Sequence, residues 1–245
     1  VRFLAIHWPL AFAATATLAF ALGLLACLLA LPRSLQDPGL AAARVLIPVA
    51  LLTALGWWRT TGFAQRPTLA TIAPFLPFAL FPLLPLVFGP GIVVTDPRRL
   101  ALLCATYLAL GFGEEATFRG VVLRALAPGR PWRAAAMSSI LFGAMHLVNL
   151  AVGANAVNVG FQVLYTTLIG CAFAGAALVT GEIWPLIIVH AAMDFVNAIQ
   201  RRPGTGSTQA GPDIATGLLN VALFAPFAVY GYWLLRRHLR VDTTR

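Results

Sequence analysis

The sequence contains no lysine and few acids: the 17 basic side chains are all arginine, against eight Asp and Glu in 245 residues. Only 10% of the chain is charged while 60% is hydrophobic, and the mean hydropathy is +0.84. So little charge excludes an ordinary water-soluble domain and leaves a membrane protein. The net charge of +9 would suit a nucleic-acid binder. The arginines, however, lie mostly in short gaps between apolar runs, where membrane orientation and anionic lipid account for them, so no nucleic-acid partner is expected. The missing lysine reads as genome composition rather than function. Cysteine is also scarce. Cys27, Cys104 and Cys171 stand apart, without metal or redox spacing, and read as small packing residues.

What is present is a series of apolar runs, each near the ~20 residues a helix needs to cross a bilayer. We read an all-α, polytopic membrane helix bundle of eight spans, at 8–31, 43–58, 68–94, 100–118, 134–150, 160–180, 183–200 and 214–235. The first run exceeds a signal-peptide core and has no small-residue cleavage site before Pro32, so it is expected to stay as a membrane helix. The third carries Pro74, Pro77, Pro82 and Pro85 and is expected to be kinked or partly unwound, packed against neighbours that satisfy its backbone. Trp8, Trp57, Trp58, Trp132, Trp184 and Trp233 fall near predicted span ends, at headgroup level. Gly170, Ala174 and Gly175 favour close helix contacts. With eight spans and an internal amino terminus, Arg2, Arg59, Arg66, Arg119, Arg124, Arg130, Arg133, Arg236, Arg237, Arg240 and Arg245 fall on one side. They outnumber Arg33, Arg44, Arg98, Arg99, Arg201 and Arg202 on the other, so a multi-pass cell-membrane protein with both termini cytoplasmic is expected. No repeat or long linker interrupts 1–245, which reads as one integral-membrane domain with a flexible polar loop at 201–213.

An ionisable side chain near the bilayer centre costs about 2.5–3.5 kcal/mol on insertion scales, so each exception carries information. Three clusters stand out: "EEATFR" with Glu114, Glu115 and Arg119; "FGAMH" with Phe142 and His146; and "HAAMD" with His190 and Asp194. Glu115 and Arg119 are four apart in the favourable order for pairing on one helix face, which leaves Glu114, about 100° around the helix, as the freer carboxylate. The same four-residue step puts Asp194 beside His190, where it is expected to orient the imidazole, share a ligand site or donate if protonated. Converging on one cavity, these groups would supply a general base, proton carriers and either oxyanion stabilisers or metal ligands, a set suited to water attack on an amide. Neither HExxH nor GxSxG occurs, and Ser138 and Ser139 read as helix-packing hydroxyls. Each cluster also has a plainer reading, as solvated helix-end charges or as buried polar pairs holding helices together. Asn149, Asn155 and Asn158 read as turn formers; Gln162 and Tyr165 either face the cavity or bond across helices.

In this order the motifs resemble EExxxR, FxxxH and Hxxx(N/D) of the CPBP intramembrane protease family, which includes the prenyl-protein (CAAX) endopeptidases. The resemblance covers roughly residues 100–200. It implies that Glu114, with His146, activates water for attack on a peptide bond, and that His190 and Asp194 stabilise the oxyanion. Glu115, Arg119 and Phe142 would support the site. No cofactor is required if the chemistry is glutamate-dependent; a divalent zinc held by Glu114, His146, His190 and Asp194 is the other form the resemblance permits. The expected partners are membrane lipids and a lipidated or membrane-anchored protein cut near its carboxyl terminus. An ion-coupled transporter, favoured by the broken third span, and a noncatalytic immunity or scaffold protein remain the rival readings.

Overall fold

An apolar run in a bilayer must satisfy its own N–H and C=O groups, which selects helix. The computed structural model describes residues 1–65, 67–201 and 211–242, and these contain helices and connecting turns without a strand. In chain order the helices are α1 Arg2–His7, α2 Pro9–Ala30, α3 Arg33–Leu55, α4 Leu69–Ile72, α5 Leu80–Phe88, α6 Pro97–Glu115, α7 Leu123–Leu126, α8 Pro131–Met145, α9 Val148–Ala151, α10 Ala156–Thr180, α11 Trp184–Ile199 and α12 Ile214–Asp242. A 3-10 segment, Ala73–Ala79, joins α4 to α5, and a π-helical segment, Ala116–Val122, joins α6 to α7. Arg66, Arg202, Arg245 and most of the polar loop, 202–210, lie outside the described residues.

All eight expected runs fall on helices. Six helical stretches among the described residues are long and apolar enough to cross a membrane. Of the other two, Trp184–Ile199 is apolar but shorter, and α6 carries Arg98, Arg99, Glu114 and Glu115. The two runs that depart from plain membrane helices are thus the ones bearing the first and third motifs.

Two boundaries differ from the sequence reading. The second span starts at Arg33 rather than 43, because the polar stretch "RSLQDPGL" is helical. Gln36 ties it back to the end of α2 by donating to the carbonyls of Leu28 and Leu31 at 2.9 and 3.2 Å. The helix stops at Gly56, whose φ of 67° is the left-handed conformation that favours glycine. At the other end of the chain α12 runs on to Asp242, so Trp233 lies within a helix rather than at its end.

The proline-rich third run is broken as expected. Its middle winds as a 3-10 helix, and two of its carbonyls are met by other helices: Tyr230 donates to Pro74 O at 3.1 Å and Gln200 Nε2 to Pro85 O at 2.7 Å. Phe78 and Phe81 pack against Phe173 of α10 and Phe227 of α12 at ring-centroid separations of 4.4–6.2 Å. Helix α10 runs through the interior against α8 and α12, α11 lies along α6, and α3 packs against α2 and α6. Close approach depends on missing side chains: a Cβ on Gly175 would sit 2.3 Å from Gly231 O, and one on Gly170 3.1 Å from Ser139 Cβ.

Candidate active site

The first motif spans the junction of α6 and the π-helical segment. Its wider turn still brings Arg119 NH1 to 3.1 Å from Glu115 Oε1, and both side chains are fully buried. Such insertions recur at functional sites, and neither spacing nor composition signals this one. Ser138 of α8 donates to Phe118 O at 2.9 Å and so ties the π-helical segment to the second-motif helix, while Ser139 bonds Ala135 O of its own helix. The faces of the Arg119 guanidinium meet Phe142 at 4.3 Å and Phe173 at 5.4 Å, a double cation–π contact in a water-poor setting. Phe142 therefore links the first and second motifs. Edge contacts from Phe118 to Phe142 and Phe20, at 5.1 and 6.2 Å, extend this layer into an aromatic floor under the site.

Glu115 does more than pair with Arg119. Its Oε1 also lies 2.7 Å from His190 Nδ1, so a single carboxylate bridges the arginine and the third-motif histidine. Glu115 thus holds the Nδ1 side of the His190 ring. Asp194 Oδ2 stands 3.6 Å from Nε2 on the other side of the ring, and Glu114 Oε2 stands 3.7 Å from that same nitrogen. His190 Nε2 thus faces two carboxylates. His146 ends α8, with Nδ1 3.1 Å from Phe142 O. A carbonyl can only accept, so Nδ1 carries the hydrogen, and Nε2 of the neutral ring keeps a lone pair.

Glu114, Phe142, His146, His190 and Asp194 line one cavity of about 250 Å³, so the structure brings the three motifs together. Glu115 and Arg119 lie behind its wall. Its lining combines the apolar Leu24 and Leu28 of α2 and Leu40 of α3 with the polar Asn149, Gln162 and Tyr165. Asn149 Nδ2 donates to Gln162 Oε1 at 2.9 Å, and these two residues and Tyr165 also line a neighbouring polar cleft of about 450 Å³ containing Asn155, Asn158 and Arg201. Asn149 therefore has a cavity-facing place beyond turn formation, and Gln162 both faces the cavity and bonds to another helix. Asn155 is the helix cap of α10, accepting from the backbone N–H of Val157 and Asn158. No residue of Leu69–Phe88 lines this cavity, so the broken third run takes no part in it.

Arg44 is a cavity residue that the sequence reading missed. It counted as an orientation arginine at the very start of a span begun at 43, yet it lies well inside α3. Its Nε is buried without a hydrogen-bond partner. Arg44 and Arg119 both point into the bundle, so neither serves as an orientation signal. The approach of α3 depends on Gly113, where a Cβ would lie 2.5 Å from Arg44 O and 2.7 Å from Arg44 Cβ. Gly113→Ala is therefore expected to push α3 away from Glu114 and to destabilise the protein by about 1–3 kcal/mol, read as a lower unfolding midpoint in a fixed detergent.

Bonded through Nδ1 to Glu115, His190 keeps Nε2 on the side of Glu114 and Asp194, the orientation a metal-ligating histidine takes when a carboxylate holds its other nitrogen. Among the described residues no group of three or more His, Cys, Asp or Glu is placed to hold one ion.

Helices and site together define a multi-pass membrane protein with a buried acid–histidine centre. The model of the family described as Rce1-like, type II CAAX prenyl endopeptidase Rce1-like, matches residues 96–196, which contain all three motifs. The matched segment, less than half of the chain, supports assignment to the CPBP family. Among curated proteins none matches it.

Proposed function

We propose that the protein is an intramembrane endopeptidase of the CAAX-processing type that cuts a lipidated or membrane-anchored protein near its carboxyl terminus. The observation that carries this reading is the convergence of Glu114, His146, His190 and Asp194 on one cavity whose lining is both apolar and polar. A lipid-modified peptide has the same mixed character, its lipid suiting Leu24, Leu28 and Leu40 and its peptide end suiting Asn149 and Gln162.

In the proposed reaction Glu114 takes a proton from water as the water oxygen bonds to the scissile carbonyl carbon. His190, as the doubly protonated imidazolium with its Nδ1–H on Glu115, gives an Nε2–H hydrogen bond to the developing oxyanion. As the C–N bond breaks, the proton reaches the leaving nitrogen, with His146 as the second carrier. Asp194 holds the open side of the His190 ring. Because an ionised carboxylate only accepts, Asp194 is given no donor role towards the oxyanion.

The reading is tested by reconstituting the purified chain with a prenylated, carboxyl-terminal CAAX peptide anchored in proteoliposomes and identifying the released fragment by mass. Release of a short carboxyl-terminal peptide, undiminished by a divalent-metal chelator, is the expected result. Asp194→Asn should retain at least about a tenth of the parent rate, since Glu115 orients His190 and loss of a single positioning contact is worth about 1 kcal/mol. Complete loss of activity together with bound zinc in the parent would overturn the glutamate-dependent form. No release from any lipidated peptide would count against the CAAX-processing class.

A further inference from the structure

A second cleft, of about 480 Å³, opens at the end of the bundle away from the polar cleft, where the start of α2, the residues after α3 and the connection from α7 to α8 meet. Arg124, Arg130 and Arg133 line it, and no Asp or Glu is among its lining residues. Arg124 is held in place by its NH2, which donates to Ala177 O at 3.5 Å and Gly181 O at 3.4 Å, while its buried Nε has no hydrogen-bond partner. Arg130 and Arg133 are exposed. The cleft thus gathers positive charge, the feature that recognises an oxyanion through charge-assisted hydrogen bonds.

What borders the cleft favours a lipid as the source of that oxyanion. Ile6 and Trp8 line it and are 62% and 63% exposed, and neighbouring Phe3 is 66% exposed, so an apolar edge stands next to the arginines. An indole beside arginines at a helix end is the arrangement expected at headgroup depth. An acylated anion matches both parts, whereas a free anion would leave the apolar edge unused.

We propose that this cleft binds the phosphate of an anionic phospholipid, with Arg124 as the fixed contact and Arg130 and Arg133 closing over the headgroup. The experiment uses the purified full chain in neutral detergent. Binding of short-chain phosphatidylglycerol, short-chain phosphatidylcholine and inorganic phosphate alone is measured by titration against the unfolding midpoint. The parent should bind phosphatidylglycerol at least about tenfold more tightly than phosphatidylcholine, from surface arginine contributions alone. Arg130→Gln/Arg133→Gln should bring the two lipids to within about twofold without changing the midpoint in lipid-free detergent, because neither exposed side chain supports a helix contact. Equal affinity for the two lipids in the parent, or a preference that survives the double substitution, overturns the proposal. Inorganic phosphate binding as tightly as phosphatidylglycerol would assign the arginines to a free anion and overturn the lipid source.

Discussion

Glu114→Gln is expected to lower the cleavage rate by about 10²–10⁴-fold, the contribution typical of a general base, while leaving the protein folded. The substitution keeps the shape of the side chain, and the Glu114 carboxylate stands 3.7 Å from His190 Nε2, beyond hydrogen-bond reach. The unfolding midpoint should therefore stay close to the parent's, and the variant should still bind the lipidated peptide. Retained binding with lost turnover separates a missing base from a damaged cavity. A Gln variant that cleaves at the parent rate would remove Glu114 from the mechanism. If Gln lowers the midpoint, Glu114→Asp supplies the second reading: it keeps a carboxylate but withdraws it from the water, so the rate should fall without recovering when the protein is stabilised by substrate.

Arg119→Leu should produce the largest loss of stability, about 3–5 kcal/mol, because breaking a buried ion pair strands the remaining charge. Glu115 is wholly buried, and its Oε2 has no hydrogen-bond partner, so the arginine and His190 are what compensate it. Arg119→Lys should fall between Leu and the parent. It restores a charge but not the flat guanidinium that meets the Phe142 and Phe173 rings. Reversible unfolding in mixed detergent, followed by intrinsic fluorescence, gives the three midpoints. A Leu variant as stable as the parent would show that the pair adds nothing to the fold. Activity should fall with stability here, since Glu115 freed from Arg119 no longer holds His190 in one orientation.

The motifs were legible because charge is so rare in this chain. An acid or imidazole inside an apolar run stands out, and the four-residue steps placed Glu115 with Arg119 and His190 with Asp194 on shared helix faces before any fold was known. Which partner each group takes across helices was not legible. Periodicity on α11 pointed to Asp194 as the group that orients His190, but helix crossing brought Glu115 to its Nδ1 at 2.7 Å. The same limit hid Arg44, whose place in the cavity follows from the contact at Gly113 and from a helix start that a polar, proline-containing stretch disguised. A sharper sign was available: Arg44 is an ionisable residue followed by the apolar run from Val45 to Leu52. The π-helical segment left no trace, since its residues suit an ordinary α-helix equally well.

The aromatic floor has a consequence for the membrane rather than for the reaction. A hydrolase within a bilayer must admit water to its centre, yet a continuous wet column between the two aqueous phases would dissipate the ion gradients the membrane maintains. Phe118 and Phe142 pack together around the buried Arg119, and Phe142 also lines the acid–histidine cavity. Reconstituted proteoliposomes are therefore expected to hold a proton gradient while the site is wet.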